Sequence, residues 1–435
     1  MTGEELMLKL LDRKWTLKSP DSKIHQIVLS AIPGKHGDGL FGNISFLNNS
    51  SPCLGDRMIK KDKDQFFYVI RDDLLHPLVN GNKARKLDGL LPILEDHSVT
   101  DVVTCGGCQS AHATAVAVSC AERGLKCHLL LRGEQPEVLT GYNLISTIYG
   151  NVTYVPRSLY AQRTEMLKSH AHLIAGNNGH VVWCNDMFEA SLTGQTPWAS
   201  DFVQTGAHRD ADNCSRKVVI VNEGAGDCVA LLGVFRLVQY LSQDQFTWKE
   251  EGCQIYCGCR YWYNSCWFRT WSHIFRLLFS LRLPWEVTAV MLADTIDGYR
   301  QHEERLISEF QKIFGFLLDD NSLNNVDGGI VHWAERCQPR KCVISSPSGF
   351  MHSLRFGNVL EGEVEACKQI AQLTGISVDP VYTLAAWEMA TLLSDKELKE
   401  DTDVVMLHTG GTLGMFGLAQ RYKSYFNGLK DGFSI

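Results

Sequence analysis

The chain carries no excess of positive charge. Its 42 Lys and Arg stand against 49 Asp and Glu, a formal net charge of −7, so a nucleic-acid backbone is not an expected partner. It has no apolar run of membrane-spanning length. The longest candidate, 274–283, is short and interrupted by Arg276 and Arg282, so no membrane partner is expected. The regular cysteine spacing of a secreted disulfide framework is also missing. The 15 cysteines are scattered, which suits buried thiols in a reducing compartment. Cys105-Gly106-Gly107-Cys108 has the spacing of a metal half-site, but no second half-site accompanies it, and no metal is expected. The first residues hold Glu4 and Glu5 and lack the arginines of a mitochondrial presequence. That leaves the cytosol, or a chain that starts downstream of its targeting segment.

What is present is an ordinary globular composition. The 435 residues are 45% hydrophobic and 21% charged, enough for two or three domains or for two tightly joined lobes. From Phe66 onward, apolar runs alternate with helical patterns, the signature of a mainly parallel α/β sheet. Strands are expected at 66–70, 100–104, 126–131, 151–155, 180–183, 217–221, 286–292, 378–381 and 404–407. Helices are expected at 109–123, 158–174, 228–241, 297–314, 356–374 and 384–393. The first 63 residues show little pattern and read as an extension, and 193–215 reads as a polar linker.

Residues 244–282 break the alternation. Four of the ten tryptophans and four of the 15 cysteines fall there, and the run from Cys259 to Trp271 has neither helix nor strand period. Trp has one codon, and reading it one base later always gives Gly. Codons compatible with Cys259 to Ser272, read in that way, spell Ala-Gly-Ile-Gly-Thr-Thr-Ala-Val-Gly-Leu-Gly-Leu-Gly-Ala. Those for Gln254 to Gly258 spell Lys-Phe-Ile-Val-Asp. A strand, a Gly-Thr loop and a small-residue helix are what the alternation requires here. The segment is therefore read as out of frame, through a gene-model error or a splice variant. A transcript that codes these tryptophans in frame contradicts this reading. A second stretch, 342–355, is rich in Ser and looks like an insertion.

Four segments carry candidate chemistry. The first is Asn80-Gly81-Asn82-Lys83-Ala84-Arg85-Lys86-Leu87, which places Lys83 in the first turn of a helix after a loop. A lone lysine is ordinarily a solvated charge, so its neighbours decide. The second, Gly106-Gly107-Cys108-Gln109-Ser110-Ala111-His112, follows a strand and opens a helix. Taken singly, Ser110 is a helix cap and His112 a packed histidine. The third is Asp379-Pro380-Val381-Tyr382-Thr383. The fourth, His408-Thr409-Gly410-Gly411-Thr412, is a strand-to-helix turn of small residues. A further Gly turn, Asn222-Glu223-Gly224-Ala225-Gly226-Asp227, fails the dinucleotide spacing because Val229 occupies the last position. It reads as a structural or substrate-side loop.

Together, and in this order, the four segments resemble the pyridoxal-phosphate (PLP) enzymes of the D-cysteine desulfhydrase and 1-aminocyclopropane-1-carboxylate deaminase family, with the plant mitochondrial members nearest. The resemblance covers nearly all of residues 65–435. It implies an α/β fold of two lobes with open parallel sheets of the tryptophan-synthase β type, PLP fold type II. The expected lobes are a large PLP-binding one at 64–95 and 206–435 and a small one at 96–205, after an extension at 1–63. It implies Lys83 as the Schiff-base lysine and general base, with Ser110 and Tyr382 assisting proton transfer. Asn82, Thr383, Thr409 and Gly410 are the expected cofactor contacts. Ala111 stands where relatives carry Asn, and Thr383 where the deaminases carry Glu. A neutral hydroxyl beside the pyridine nitrogen makes a weaker electron sink than a carboxylate does. That favours elimination of a thiolate over opening of a cyclopropane ring, so the expected reaction turns D-cysteine into pyruvate, ammonia and hydrogen sulfide. The alternatives are the deaminase reaction and an inactive isoform. In this family the Gly-Thr loop of the shifted frame would cradle the cofactor phosphate on backbone N–H groups. The residues as written, Arg260 to Asn264, are bulky, so weak PLP binding is expected. The resemblance also implies a homodimer, a small amino acid as substrate and a mitochondrial setting.

Overall fold

The computed structural model describes residues 10–31, 40–52, 54, 65–79, 81–198, 215–243, 245–246, 253–259, 285–291, 298, 301, 308, 312, 331–335, 359–394 and 403–429. The chain divides into two compact units. One comprises Met1–Leu11, Pro20–Asn82 and Phe235–Ile435, the other Asp12–Ser19 and Lys83–Val234. The expected helix at 297–314 apart from single positions, the insertion at 342–355, and the irregular segment 244–282 apart from 245–246 and 253–259 lie outside the described residues.

The first unit is built on seven strands: β1 Ile24–Ala31, β2 Ile44–Asn49, β3 Gln65–Ile70, β9 Cys253–Cys259, β10 Trp285–Met291, β11 Val331–Glu335 and β12 Asp403–Leu407. The second holds β4 Asp101–Gly107, β5 Lys126–Arg132, β6 Asn151–Val155, β7 His180–Trp183 and β8 Lys217–Ile220. The larger sheet runs β11-β10-β9-β12-β3-β1-β2. Its first five strands are parallel, and β1 is antiparallel to both of its neighbours. The smaller sheet, β6-β5-β4-β8-β7, is parallel throughout. Its central strand, Asp-Val-Val-Thr-Cys-Gly-Gly, is buried along almost its whole length, as a strand covered on both faces must be.

Three expectations are corrected. The N-terminal stretch is not patternless: β1 and β2 extend the larger sheet, and Ile27, Leu29 and Phe46 enter its core. Their apolar positions are spaced by polar ones, so they lack the continuous run of a central strand. The strand β8, expected in the large lobe, lies between β4 and β7 in the smaller sheet. A four-residue apolar strand fits either sheet, and only its pairing partners decide. The run 378–381 is not a strand. Asp379 gathers the Val381 and Tyr382 N–H groups on Oδ1, both at 2.9 Å, and makes a turn.

The larger sheet packs on the helix Thr383–Leu393 through Trp387, which is fully buried. Phe46 and Phe67 meet its ring edge-on at 5.5 and 5.1 Å. Trp387→Ala is expected to lose about 3–5 kcal/mol of stability, read as a lower urea midpoint at an unchanged slope. An unchanged midpoint would contradict this packing. In the smaller sheet the β4 residue Cys105 sits in the core, where burial pushes its thiol up to about 12. It stays protonated and is a poor metal ligand.

Candidate active site

Three neighbouring parallel strands of the larger sheet, β9, β12 and β3, end at one edge. Leu407 pairs with Ile70, and Met406 with Tyr256. The chain leaves adjacent carboxyl ends into Arg71-Asp72-Asp73 after β3 and into His408-Thr409-Gly410-Gly411 after β12. That is where ligands sit in open α/β sheets. The residues Arg260 to Asn264 themselves lie outside the described residues.

The loop after β12 is tightly held. His408 is fully buried, and its Nε2 lies 2.9 Å from the Ser377 carbonyl. A carbonyl only accepts, so Nε2 carries the proton and Nδ1 is the acceptor for the Gly410 N–H at 3.3 Å. Asp73 Oδ1 lies 3.6 Å from Nδ1. Asp73 in turn takes two hydrogen bonds from Arg71, from Nε at 2.8 Å and Nη2 at 2.7 Å. The Thr409 carbonyl accepts the Asn82 N–H at 3.2 Å. A side chain at Gly81, whose φ is +63°, would collide with that same carbonyl. Gly81 and Asn82 are thus fitted to the Thr409 backbone, which brings together the expected residues Asn82, Thr409 and Gly410.

Asp379 organises the third segment. Besides the Val381 and Tyr382 N–H groups, its Oδ2 accepts the Thr383 hydroxyl at 2.8 Å, while Thr383 Oγ1 accepts the Asp379 N–H at 2.7 Å. The carboxyl group is fully buried, and burial drives it above the ordinary aspartate value against those hydrogen bonds. A Cβ on Gly411 would strike it, so the Gly410-Gly411 turn and the Tyr382-Thr383 helix start are built around one carboxylate. The one hydroxyl proton of Thr383 is committed to Asp379. Of the two expected hydroxyl partners, Thr409 is the one whose Oγ1 is bonded to no described residue, and it is half-buried. Tyr382 is half-buried at the N-terminus of the helix Thr383–Leu393.

In the other unit, Lys83 is only 9% exposed in the helix Asn82–Asp88. Ser110 caps the helix Ala111–Ala121, its Oγ accepting the Ala113 N–H at 3.2 Å. A side chain on Gly106 would occupy the place of the Ser110 hydroxyl. His112 is buried against Thr104. The Asn222–Asp227 turn is closed on itself, with Asp227 accepting from the Asn222 backbone and side-chain N–H groups at 3.0 and 2.7 Å. Its Gly224 carbonyl accepts from Lys86 Nζ at 2.9 Å, which is a structural role. Lys83 and Ser110 thus belong to one unit, and Asn82, Tyr382, Thr383, Thr409 and Gly410 to the other.

Sequence reasoning passed over Asp379, Asp73, Arg71 and His408 as organisers. Asp379-Pro380 is a readable turn signal. The link from Arg71 and Asp73 to His408 gives no local signal, because His408 is distant from both in sequence. Burial raises the Asp73 carboxyl, but the hydrogen bonds and the charge of Arg71 outweigh it and hold Asp73 below the ordinary aspartate range. Its contribution to stability is therefore complete above the unfolded aspartate value and is lost as pH falls through the lower folded value. Asp73→Ala leaves Arg71 buried without its carboxylate and is expected to destabilise by about 3–5 kcal/mol at neutral pH. The difference from wild type should shrink in acid denaturation series. A difference that grows with acid would contradict the assignment.

No family model matches the chain. A rice (Oryza sativa subsp. japonica) protein, provisionally named mitochondrial D-cysteine desulfhydrase 2, is 45% identical over 425 residues, 95% of this chain and 93% of its own. An Arabidopsis thaliana protein named as a bifunctional mitochondrial D-cysteine desulfhydrase/1-aminocyclopropane-1-carboxylate deaminase is 22% identical over 361 residues, 80% of this chain and 73% of its own. Among solved structures, a homologue of 1-aminocyclopropane-1-carboxylate deaminase superposes with a TM-score of 0.59 at 18% identity, covering 96% of this chain and 98% of that one. That superposition supports the two-sheet α/β fold. The extent and level of identity to the rice protein place this chain in the PLP-dependent D-cysteine desulfhydrase/1-aminocyclopropane-1-carboxylate deaminase family.

Proposed function

We propose that the chain is a PLP-dependent carbon–sulfur lyase that converts D-cysteine and water into pyruvate, ammonia and hydrogen sulfide. The observation that carries this reading is Lys83, a lysine only 9% exposed at the position where the resemblance expects the cofactor lysine. Burial favours a neutral amine, which a nucleophilic and basic lysine needs. The described residues fit the cofactor. Besides Lys83, the Gly410-Gly411 turn takes φ values of +86° and +113° at the carboxyl edge of the sheet and presents backbone without side chains.

When bound, PLP supplies an electron sink that makes the substrate Cα–H acidic. Lys83 would hold the cofactor through Nζ, and Asn82, Thr409 and Gly410 would line it. Thr409 offers a neutral hydroxyl, not a carboxylate. In the reaction Lys83 Nζ takes the Cα proton, the Cβ–S bond breaks, and the sulfur leaves with a proton as hydrogen sulfide. Ser110 Oγ accepts a backbone N–H, so its own proton is available to donate. Together with the Tyr382 hydroxyl it is assigned to proton delivery. The released aminoacrylate hydrolyses to pyruvate and ammonia.

The test compares substrates with PLP in excess. D-Cysteine is expected to give sulfide and pyruvate in equal amounts, faster than 1-aminocyclopropane-1-carboxylate gives ammonia. The reverse order would favour the deaminase reading and contradict the role given to a neutral ring partner. We further infer a mitochondrial setting and a homodimer. Organelle fractionation and light scattering check these, and a cytosolic or monomeric result would overturn the corresponding inference.

A further inference from the structure

Arg13 is a half-buried arginine without an acceptor. Its Nε and Nη1 are closed off from solvent, and neither has a hydrogen-bond partner among the described residues. Its Cζ lies over the Phe188 ring at 5.6 Å, which steadies the plane of the group but takes no hydrogen bond from its edges. The carboxylate whose charge acts on Arg13 is Asp96, yet Asp96 is bonded to Lys14 Nζ at 2.9 Å. Burial counts against the Arg13 charge more than Asp96 supports it. An arginine does not shed its proton to escape such a place. Buried N–H groups and a charge left in this way call for an explanation.

The segment that carries Arg13 is fixed in place. The Thr16 N–H donates to the Asp88 carbonyl at 3.1 Å, and the Leu17 N–H to Asp88 Oδ1 at 2.7 Å. Arg13 lines a cavity of about 130 Å³, together with Lys14, Pro92, Ile93, Asp96 and His97. All of these residues, and Phe188, belong to one unit. Lys14 and Asp96 cancel each other. Burial holds His97 below its ordinary value, so it is neutral at neutral pH. Arg13 is left as one uncompensated positive charge. A guanidinium takes a carboxylate on two nitrogens at once, Nε with Nη2 or Nη1 with Nη2. Each of these edges includes one of the nitrogens without a partner. We propose that the cavity beside Arg13 binds a small monocarboxylate, whose oxygens accept from one edge of the guanidinium and whose short apolar tail rests on Pro92 and Ile93. The single unbalanced charge and the small volume point to a monoanion of few atoms. The site uses none of the residues assigned to the lyase reaction and does not depend on that reading.

Acetate is the probe, because it carries the carboxylate and cannot form an imine with a lysine. Saturation transfer from the full chain to the acetate methyl group measures binding at constant ionic strength set with chloride. Wild type is expected to give saturable transfer. Arg13→Met, an unbranched apolar chain of similar length, is expected to weaken it by at least about tenfold, since the charge-assisted hydrogen bonds are lost. Lys83→Ala is expected to bind acetate as wild type does. Inorganic phosphate is expected to displace acetate only at concentrations above those at which acetate itself saturates. Equal binding by folded wild type and Arg13→Met, or binding lost in Lys83→Ala and kept in Arg13→Met, would overturn the proposal. Displacement by less phosphate than acetate would overturn the monocarboxylate assignment.

Arg13→Met removes a charge without a bonded partner, so it is expected to fold. If it does not, the ¹⁵N spectrum of the arginine side chains in wild type serves instead. The Arg13 Nε–H resonance should move saturably as acetate is added, over the same range that the methyl signal reports. An unmoved Arg13 resonance overturns the proposal. Neither readout uses PLP or turnover, so failure here leaves the lyase reading untouched.

Discussion

Lys83→Ala is expected to lower sulfide release from D-cysteine by at least about 10³-fold with PLP in excess, because one residue supplies both the covalent anchor and the general base. The loss should fall on kcat more than on KM, since the lysine acts on the reacting proton. The fold should survive. Lys83 is in the first turn of the helix Asn82–Asp88 and 9% exposed. Alanine suits a helix, so the helical circular dichroism should match that of wild type. Lys83→Arg should be as inactive as Lys83→Ala, because a guanidinium does not give up its proton near neutrality. Activity within tenfold of wild type in either variant would remove Lys83 from the chemistry.

The second large effect concerns the segment after β9. Replacing residues 259–272 with Ala-Gly-Ile-Gly-Thr-Thr-Ala-Val-Gly-Leu-Gly-Leu-Gly-Ala should tighten PLP binding by about 10²–10⁴-fold. Two charge-assisted hydrogen bonds from backbone N–H groups to phosphate account for a change of that order. If this segment is the phosphate loop that the resemblance implies, the bulk of Tyr261, Trp262 and Tyr263 would deny the phosphate such an approach, whereas Gly and Thr would permit it. The replaced stretch starts at Cys259, the last residue of β9, and β9 lies beside β12 in parallel register. The restored loop would therefore begin next to the Thr409-Gly410 turn. Equilibrium dialysis against PLP measures the change. Equal affinity of the two chains would contradict both the shifted-frame reading and the place given to the phosphate.

The sequence was most legible where a run is apolar and bounded by turns. Val404–Leu407 falls on β12 nearly to the residue, since a buried parallel strand leaves little choice of residue, and His180–Trp183 falls on the half-buried edge strand β7. The strand Cys253–Cys259 forms with the residues as written. Less was legible where side chains decide. The expected helix 158–174 is two helices, Arg157–Ala161 and Arg163–Ala175, parted at Gln162 with φ −96° and ψ 50°. Asp379 turned an apparent strand into a carboxylate-centred turn. The motif words marked Lys83, Ser110 and Thr409. They could not reveal that Thr383 donates its proton to Asp379, or that His112 keeps a bare nitrogen in the core. Both depend on partners that only the fold brings near.

The central claim is that PLP is held by Lys83. Borohydride reduction of the protein mixed with a small excess of PLP, followed by peptide mass spectrometry, tests it most directly. The account predicts a reduced pyridoxyl group concentrated on the peptide that contains Lys83 and absent there in Lys83→Ala. Label spread over other lysines with the Lys83 peptide unmodified would contradict it.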